Sequence, residues 1–415
     1  MSEPRVISFG CRLNAYEAAA MRRMGAGPGD AVVVNTCAVT NEAVRQARQA
    51  IRRERRERPD ARIVVTGCAA QTDPQGFAGM DEVDAVLGNH EKMLPESWRR
   101  LAKDDVRVRV NDIMSVRETA GHLIDGYGDK ARAFLQIQNG CDHRCTFCII
   151  PFARGNSRSV PVGVVVDQAK RLAGAGHREI VFTGVDITSY GADLPETTTL
   201  GALVGAVLDR VPELYRLRLS SIDGAEIDAA LIERITGDER LAPHLHLSLQ
   251  AGDDMILKRM KRRHTRDQAV HLCRSLRARR PEIAFGADLI AGFPTETEAM
   301  FQKSLDLVDE AGLQYVHVFP FSPREGTPAA RMPQLSRRVV KERAGRLRDR
   351  GRKALWRFLD RLEGSEATAV VESGGRARLG NFAQVRFRSN AGPAGALARI
   401  RIAGRDGDML IGDPA

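Results

Sequence analysis

Six of the seven cysteines in this 415-residue chain form two groups of three, and these groups constrain the fold more than any other feature of the sequence. The first group is spread out and consists of Cys11, Cys37 and Cys68, whereas the second is compact and consists of Cys141, Cys145 and Cys148. The odd number of cysteines, in a chain that does not open on a secretory signal, leads us to expect no disulfide framework. The remaining Cys273 lies among apolar residues at helical spacing, which predicts a place in the core.

Each cysteine of the first group directly follows a short segment rich in β-branched residues. These segments are Arg5–Gly10, Ala31–Thr36 and Arg62–Gly67, separated by helix-like segments at Asn14–Met24 and Asn41–Glu57. Alternating strands and helices predict parallel strands joined by right-handed crossovers, so the three thiols should meet at one edge of a sheet. Three buried structural cysteines are the alternative. Cysteine at the exit of every strand favours a metal or cluster site, and the lack of an evident fourth ligand favours iron–sulfur over structural zinc.

The second group forms a C-x3-C-x2-C pattern within one short loop, from Cys141 to Cys148. This spacing lets three thiolates bind a single iron–sulfur cluster and leaves one iron without a protein ligand. An iron that can bind a substrate or cofactor suits catalysis better than electron storage. The alternative is a zinc site that recruits His143 as its fourth ligand, but the alternating spacing makes that geometry awkward.

Downstream of Cys148 the chain alternates strand-like and helix-like segments, which predicts an α/β fold with a partial parallel barrel. The strand-like segments are Ala133–Gln138, Glu179–Thr183, Arg216–Ser220, His244–Gln250, Phe285–Ile290 and Gln314–Pro320. The helix-like segments are Val164–Ala173, Leu200–Leu208, Ala225–Ile235, Ala269–Arg279 and Ala299–Ala311. Active-site residues in such barrels lie at the C-terminal ends of the strands. Polar residues there could line a pocket for a polar cofactor, and the candidates are Thr183, Gly184, Asp186, Ser220, Ser248, Gln250 and Gly292.

The C-terminal part of the chain is basic and then changes character. Residues 334–364 carry a dense run of cations at helical spacing, and from Glu366 onward short alternating segments predict a small antiparallel β-barrel. With 63 basic and 53 acidic residues the net charge is +10, which suits a polyanionic partner. The candidate residues for binding such a partner, which would be RNA if the chain follows the family named below, are Arg337, Arg338, Lys341, Arg386 and Arg388. The alternative is a solvated helix in a chain whose many arginines reflect codon usage.

The cluster loop Cys141–Cys148 resembles the signature of radical S-adenosylmethionine (SAM) enzymes. Its combination with Phe9-Gly10-Cys11, Asn35-Thr36-Cys37 and Thr66-Gly67-Cys68 resembles the methylthiotransferase family over nearly the whole chain. The resemblance is to the MtaB-type branch, which acts on N6-threonylcarbamoyladenosine in transfer RNA, and it is carried by Cys148–Gly155, His244–Gly252, Leu257–Thr265 and Phe319–Ala329. Arg12 stands where relatives often have lysine, and we expect no effect of this difference on cluster ligation.

This resemblance implies an enzyme with two [4Fe–4S] clusters that adds a methylthio group to carbon 2 of the modified adenine by a radical mechanism. Cys141, Cys145 and Cys148 would be the catalytic ligands of the radical cluster. Cys11, Cys37 and Cys68 would hold an auxiliary cluster that carries the sulfur. SAM would be both radical source and methyl donor. A flavodoxin- or ferredoxin-like electron donor and a sulfur source would be further partners besides transfer RNA.

The resemblance also implies three domains. They are an auxiliary-cluster domain at residues 1–118, a radical SAM core at 127–355, which is a partial (β/α)6 barrel, and a TRAM-like RNA-binding barrel at 356–415. No stretch approaches about 18 uninterrupted apolar residues, so we expect no membrane span and a cytoplasmic protein. Two other functions stay open at this point: methylthiolation of an aspartate in a ribosomal protein, and zinc-bound RNA binding without catalysis.

Overall fold

The N-terminal part of the chain folds around a parallel sheet. The structure is a computed structural model and describes residues 4–25, 30–101, 103, 106–118, 131–389 and 392–415. Within these ranges the strands of the sheet lie in chain order and are β1 (Arg5–Ser8), β2 (Val32–Thr36), β3 (Ile63–Gly67), β4 (Ala85–Leu87) and β5 (Val108–Arg109). The helices are α1 (Arg12–Arg23), α2 (Asn41–Glu57), α3 (Cys68–Thr72), α4 (Pro74–Ala78) and α5 (Pro95–Leu101). Every side chain of β2 and β3 is buried, as expected for parallel strands covered on both faces.

Because the strands of this sheet are parallel, the residues that follow them, including the first cysteines, lie at one edge of the sheet. The Thr40 side chain accepts a hydrogen bond from the Ala43 N–H and so begins α2 at the predicted residue. β2 and β3 pair in parallel with Thr36 opposite Gly67, so the residues that follow them leave the sheet at the same edge. The predicted parallel α/β arrangement of this part of the chain is confirmed.

The central part of the chain is an open barrel of parallel strands. Its wall, as described, consists of β6 (Arg132–Gln136), β9 (Glu179–Thr183), β10 (Arg216–Leu219), β11 (Ser221–Ile222), β12 (His244–Gln250), β13 (Ala284–Ala291) and β14 (Leu313–Pro320). Two further short strands, β7 (Gln138–Asn139) and β8 (Arg158–Ser159), form an antiparallel pair beside it. The helices are α6 (Ile150–Arg154), α7 (Val162–Gly174), α8 (Leu200–Arg210), α9 (Ala229–Gly237), α10 (Asp254–Arg259), α11 (Arg266–Arg279) and α12 (Glu298–Glu310).

The wall divides into two hydrogen-bonded sheets that one chain segment joins. β6, β9 and β10 form one sheet and β11 to β14 form the other, and the chain passes from β10 directly into β11 at Ser220. With β10 and β11 counted as one interrupted strand, the described wall has the six strands of the predicted partial (β/α)6 barrel. Alternate residues of β12 face opposite sides: Leu245, Leu247 and Leu249 pack in the helix-side core, so His244 and His246 face the interior.

A long helix and a closed β-barrel complete the chain. The helix is α13 (Arg337–Asp360), and the strands are β15 (Glu366–Glu372), β16 (Arg376–Leu379), β17 (Gln384–Phe387), β18 (Leu397–Asp406) and β19 (Met409–Pro414). They close in the order β15-β16-β17-β19-β18. The predicted small β-barrel is confirmed: four of its neighbouring strand pairs are antiparallel, and β17 and β19 are parallel. Strict alternation of direction is impossible around a closed ring of five strands, so one neighbouring pair must run parallel.

Of the predicted domain boundaries, one lies outside the described residues and one lies inside a helix. The start of the central domain, residue 127, lies outside the described residues. The boundary between residues 355 and 356 falls inside α13, whose Ala344 and Leu347 pack in the central core while Phe358 and Leu359 pack in the C-terminal core. In the described part of the chain, no helix combines the length and the apolar character needed to cross a membrane.

Candidate active site

The structure brings the first three cysteines together at one edge of the N-terminal sheet. Cys11 precedes α1, Cys37 follows β2, and Cys68 is the first residue of α3. Gly10 has a φ of +94°, and a Cβ placed there would lie 2.8 Å from the Cys37 sulfur, so the close approach of these two segments depends on glycine. Burial raises the pKa of Cys37 to about 12, and the neighbouring Cys68 and Cys11 thiols raise it further in the same direction.

The second three cysteines lie on the loop between β7 and α6, half-buried. The Cys141 Sγ is 3.7 Å from Asp186 Oδ2, and the Arg262 Nη1 donates toward Cys145 Sγ at 3.6 Å. Burial raises the pKa of Cys148 to about 12, with a smaller contribution from Cys145 in the same direction. Thiols with raised pKa values must lose protons when they bind metal, so loading either triad would release protons.

The donor set fits an iron–sulfur cluster better than a zinc ion. In the described residues no three cysteine sulfurs lie within 4.8 Å of one another. A tetrahedral zinc ion with sulfur ligands at about 2.3 Å would hold its sulfurs roughly 3.8 Å apart. His143, the fourth ligand of the zinc alternative, instead contacts Asp186 Oδ2 at 3.0 Å and Glu226 Oε2 at 3.3 Å. The second loop is therefore not arranged as a Cys3His zinc site.

Arg154 connects the two triads. It is the last residue of α6, which begins two residues after Cys148, and its Nε donates to Cys68 Sγ at 3.1 Å. The Cys68 thiol is also near enough to raise the pKa of Cys148. The two triads therefore lie on the same side of the molecule, close enough to act on each other electrostatically.

A buried charge network surrounds Arg154. Its Nη1 donates to Glu17 Oε1 at 2.8 Å and its Nη2 to Asn14 Oδ1 at 2.6 Å, and Lys92 Nζ donates to Glu17 Oε2 at 2.6 Å. Burial alone raises the pKa of Glu17, but Arg154 and Lys92 outweigh it and lower this pKa to about 2. The sequence interpretation missed this network. The only hint of it in the sequence was Arg154 in the stretch Cys148–Gly155, and that stretch was used for the family resemblance without a structural role for the arginine.

A cleft of about 170 Å³ is lined by residues that neighbour both triads. Its walls include Val39 and Thr40, which follow Cys37, and Phe147, which lies between Cys145 and Cys148. Gln250 and Asp288 from the barrel also line it, and the aromatic rings of Phe319 and Phe321 add apolar surface. A ligand in this cleft would therefore lie near segments that carry each triad.

Three of the predicted cofactor-pocket residues gather around the second triad and the cleft. Asp186 contacts the Cys141 thiol, and it accepts a hydrogen bond from Ser189 Oγ at 2.6 Å. The Ser248 carbonyl accepts from Arg262 Nη2 at 2.8 Å, and Gln250 lines the cleft with a φ of 70°.

The other four predicted pocket residues are packed against the backbone or side chains of neighbouring elements. Thr183 is buried at the end of β9, and a Cβ on Gly184 would lie 2.8 Å from the Gln138 carbonyl oxygen. Ser220 is buried in the barrel wall, where its N–H donates to Phe182 O at 3.0 Å, rather than at a strand exit as predicted. Gly292 donates its N–H to Glu296 at 3.0 Å, and a Cβ there would lie 2.7 Å from Val340 of α13.

Two family models match separate parts of the chain. One describes the Radical SAM superfamily and matches residues 135–308, and the other describes the uncharacterized protein family UPF0004 and matches residues 4–88. Each matched range contains one cysteine triad.

A known relative extends this likeness over most of the chain. The threonylcarbamoyladenosine tRNA methylthiotransferase MtaB of Rickettsia prowazekii is 52% identical over 384 residues, which cover 92% of this chain and 90% of the relative. This chain belongs to the MtaB family. The family predicted from the two sets of cysteine motifs is thereby confirmed.

Two further proteins resemble this MtaB-family chain less strongly, one in sequence and one in fold. The tRNA-2-methylthio-N(6)-dimethylallyladenosine synthase of Ruegeria pomeroyi is 31% identical over 100% of both chains. A solved structure of the radical SAM methyltransferase TsrM from Kitasatospora setae has a TM-score of 0.56 and 17% identity, covering 80% of this chain and 77% of that chain. The second likeness concerns the fold alone.

The candidate RNA-binding residues of this MtaB-family chain fall into two sets. Arg337, Arg338 and Lys341 are exposed on the first turns of α13 and form no ion pair with any described residue. Arg386 and Arg388 are exposed on or just after β17, where they pair with Asp406 at 2.6 Å and Asp413 at 3.5 Å. The first set therefore offers more available charge to a phosphate than the second.

Proposed function

We propose that this chain is a radical SAM enzyme that adds a methylthio group to carbon 2 of N6-threonylcarbamoyladenosine next to the anticodon of transfer RNA. The observation that carries the proposal is the approach of the two cysteine triads, with Arg154 of α6 in contact with Cys68 and with one cleft lined by neighbours of both triads. The 52% identity to the Rickettsia prowazekii enzyme over most of the chain also supports the proposal.

The cysteines would hold two clusters. Cys141, Cys145 and Cys148 would bind the radical [4Fe–4S] cluster with one iron left open for SAM, and Cys11, Cys37 and Cys68 would bind an auxiliary one. When bound, the clusters and SAM would supply a radical that attacks an unactivated C–H bond, together with the sulfur and the methyl group.

The side chains around the triads would stabilise and orient these groups. Arg154 and Arg262 donate toward the Cys68 and Cys145 sulfurs at 3.1 Å and 3.6 Å, so each would place a positive charge beside the cluster that these cysteines bind. The contacts of His143 with Asp186 and Glu226 fix the loop that carries the second triad. Phe147, Phe319 and Phe321 give the cleft apolar walls that exclude water from the reacting base.

The proposal includes partners and a location. Transfer RNA would contact the exposed cations of α13 and the TRAM-like C-terminal barrel through its phosphates. A flavodoxin- or ferredoxin-like protein would supply electrons and a separate source would replace the sulfur. The reaction would take place in the cytoplasm, where transfer RNA is used.

Mass spectrometry of transfer-RNA nucleosides tests the proposed substrate. Cells that lack the protein should lose the 2-methylthio form of N6-threonylcarbamoyladenosine and keep the unmodified form, and expression of the wild-type chain should restore it. Unchanged nucleosides together with loss of a methylthiolated aspartate in a ribosomal protein would overturn the proposal in favour of a protein substrate.

Cysteine variants test the two cluster roles. The wild-type chain reconstituted without oxygen should hold about eight irons, and Cys37→Ala and Cys141→Ala should each hold about four. Cys37→Ala should still cleave SAM but make no methylthio product, whereas Cys141→Ala should not cleave SAM. The matched control is Cys273→Ala, a buried cysteine on α11, which should keep about eight irons. Stoichiometric zinc with negligible iron in the wild-type chain would contradict the enzyme assignment.

A further inference from the structure

The interior of the central barrel holds a cluster of cations around one aromatic ring from the C-terminal barrel. Phe382 lies between β16 and β17 with a φ of +74°, which is unusual for a residue with a bulky side chain. The His244 ring stacks on it at a centroid distance of 4.6 Å. The guanidinium carbons of four arginines lie near its centroid: Arg12 at 5.9 Å, Arg132 at 6.0 Å, Arg218 at 5.2 Å and Arg378 at 4.4 Å. We call these four arginines and Phe382 the arginine chamber.

Three of these arginines have carboxylate partners within the protein. Arg218 Nε donates to Glu179 Oε1 at 2.8 Å. Arg132 and Arg378 both contact Glu372 Oε1, at 3.0 Å and 2.9 Å. Glu179 and Glu372 therefore neutralise part of the positive charge of the chamber and hold these three side chains in place.

Arg12 has no such partner. Its guanidinium forms no hydrogen bond and no ion pair with any residue in the described ranges. It is half-buried, and the nearby Arg218 and Arg378 cations repel it. Keeping an unpaired cation away from water is costly, and a bound anion would remove that cost. The four arginines of the chamber thus share two carboxylates, Glu179 and Glu372, and Arg12 is the arginine that neither of them contacts.

A short chain of contacts joins the chamber to the cleft. Arg12 lies 5.9 Å from the centroid of Phe382, on which His244 stacks. His246, two residues further along β12, binds Asp288, which lines the cleft. Asp288 does not serve as the missing partner, because it already binds His246 at 2.8 Å and His317 at 3.4 Å. A group that extends from a base in the cleft past Asp288 would therefore meet the free guanidinium of Arg12.

We propose that Arg12 binds the carboxylate of the threonylcarbamoyl group and so selects this modified base. The inference rests on the proposed function and names a recognition residue within its site. A guanidinium binds a carboxylate through two parallel hydrogen bonds, and such charge-assisted bonds are among the strongest in proteins. The neutral dimethylallyl group, named for the substrate of the 31% identical Ruegeria pomeroyi relative, offers no partner for this cation.

Binding of anticodon stem-loop RNAs tests the assignment. The probes are one RNA with N6-threonylcarbamoyladenosine, the same RNA with that carboxylate converted to a primary amide, and the same RNA with unmodified adenosine. The wild-type chain should bind the carboxylate form more tightly than the amide form by on the order of 10- to 100-fold at one fixed salt concentration. Arg12→Gln should bind the carboxylate form no better than the amide form, and Arg12→Lys should keep part of the preference.

Controls separate recognition from folding. Arg99→Gln removes an exposed arginine on α5 that pairs with Glu96, and it should keep the full preference for the carboxylate. Arg12→Gln should keep about eight irons and the wild-type affinity for unmodified RNA. The amide probe needs only the wild-type chain, so equal binding of the amide and carboxylate forms would overturn the inference even without a folded variant.

The same experiment distinguishes other sources of an oxyanion. If Arg12→Gln weakens the binding of all three RNAs equally, Arg12 binds a backbone phosphate. If the substitution weakens the binding of SAM instead, Arg12 binds the carboxylate of that cofactor. Either result would overturn the inference. A wild-type chain that prefers the carboxylate RNA but makes no methylthio product would refute the proposed function and leave the role of Arg12 standing.

Discussion

At the scale of single residues, buried Arg154 does more than any other described side chain to join the two cysteine triads. It contacts Cys68, Glu17 and Asn14 from the N-terminal part of the chain, although it belongs to the loop and helix that follow Cys148. Its charge is matched by Glu17, which is itself fully buried and also holds Lys92. Removing the arginine would leave a carboxylate in the interior with one partner fewer.

We expect Arg154→Met to lower the free energy of unfolding by about 3 kcal/mol, because Glu17 keeps Lys92 as its counter-charge but the buried Glu17 Oε1 and Asn14 Oδ1 each lose a hydrogen-bond donor. Urea unfolding followed by circular dichroism measures this loss. The control is Arg99→Met, which removes the exposed partner of Glu96 and should change stability little. Equal effects of the two substitutions would show that the Arg154 network contributes no special stability.

The cysteines were predictable one by one, but the residues between them were not. Cysteine repeated at three strand exits needs only the rule that parallel strands end at a common edge. Arg12, by contrast, was considered only for cluster ligation, on which no effect was expected, and its position near Phe382 depends on how α1 lies against β6. Contacts between distant segments such as Arg154 and Cys68 leave no periodic pattern in the sequence.

At the scale of elements, α13 shows how packing overrides local propensity. The sequence predicts a helix weakened by Gly345 and Gly351, yet α13 continues without a break through both. Gly351 lies against β14, where a Cβ would be 2.8 Å from the Val316 Cβ, whereas a Cβ on Gly345 would meet nothing within 4 Å. One glycine therefore permits a close helix–strand contact and the other has no such role.

These two glycines give a matched pair of substitutions. Gly345→Ala should raise the free energy of unfolding by about 0.5–1 kcal/mol, since alanine is the better helix former. Gly351→Ala has the same propensity gain but forces a clash with Val316, and overpacking typically costs about 1–3 kcal/mol, so we expect a net loss. Thermal unfolding of both variants measures the difference. An equal rise in melting temperature for both would contradict the close packing of α13 on β14.

Glu179 joins three strands of the barrel at their N-terminal ends. It binds Arg218 of β10 at 2.8 Å and Arg216 at 3.2 Å, with Arg132 of β6 at 4.0 Å. Burial alone raises the pKa of Glu179, but Arg218 and the other arginines lower it to about 2. A lowered pKa means that the ionised form stabilises the fold above the ordinary value near 4.5 and that this stability is lost as the pH falls toward 2.

Glu179→Gln should therefore cost on the order of 3 kcal/mol at pH 7, a value that follows from the lowered pKa. The difference from the wild type should stay constant down to about pH 4.5 and shrink below it, as the wild-type carboxylate takes up a proton. Urea unfolding at pH 7, 4.5 and 3 measures it. A difference that stays the same at pH 3 would show that the carboxylate charge is not what stabilises the strands.

Most elements of the barrel were predictable because their apolar periodicity is strong, and the exceptions have physical causes. β16 of the C-terminal barrel was not predicted; it carries two arginines in four residues, and Arg378 binds Glu372 on the neighbouring β15. Ser220 was predicted at a strand exit, but the chain continues into β11. Pairing between strands decided both cases, and a single segment carries no information about its neighbours.

At the scale of the whole molecule, the net charge of +10 is distributed unevenly. Several arginines of α13 are used inside the protein: Arg343 binds Glu296 at 2.8 Å, and Arg350 and Arg357 both bind Asp309. Arg337, Arg338 and Lys341, on the first turns of the same helix, have no such partner in the described residues. Counting charges along the sequence cannot separate these two groups, because the separation depends on which acids of α12 face α13.

This division predicts which cations contact RNA. Replacing Arg337, Arg338 and Lys341 together with glutamine should weaken transfer-RNA binding and lower the slope of log affinity against log salt concentration by about 2 to 3, since each lost phosphate contact contributes roughly 0.7–0.9. The matched control replaces Arg350 and Arg357, which share the carboxylate of Asp309, and should lower the slope by less than the triple variant does. Titrations at several salt concentrations measure both slopes. If the triple variant keeps the wild-type slope, the first turns of α13 are a solvated surface and the RNA is bound elsewhere.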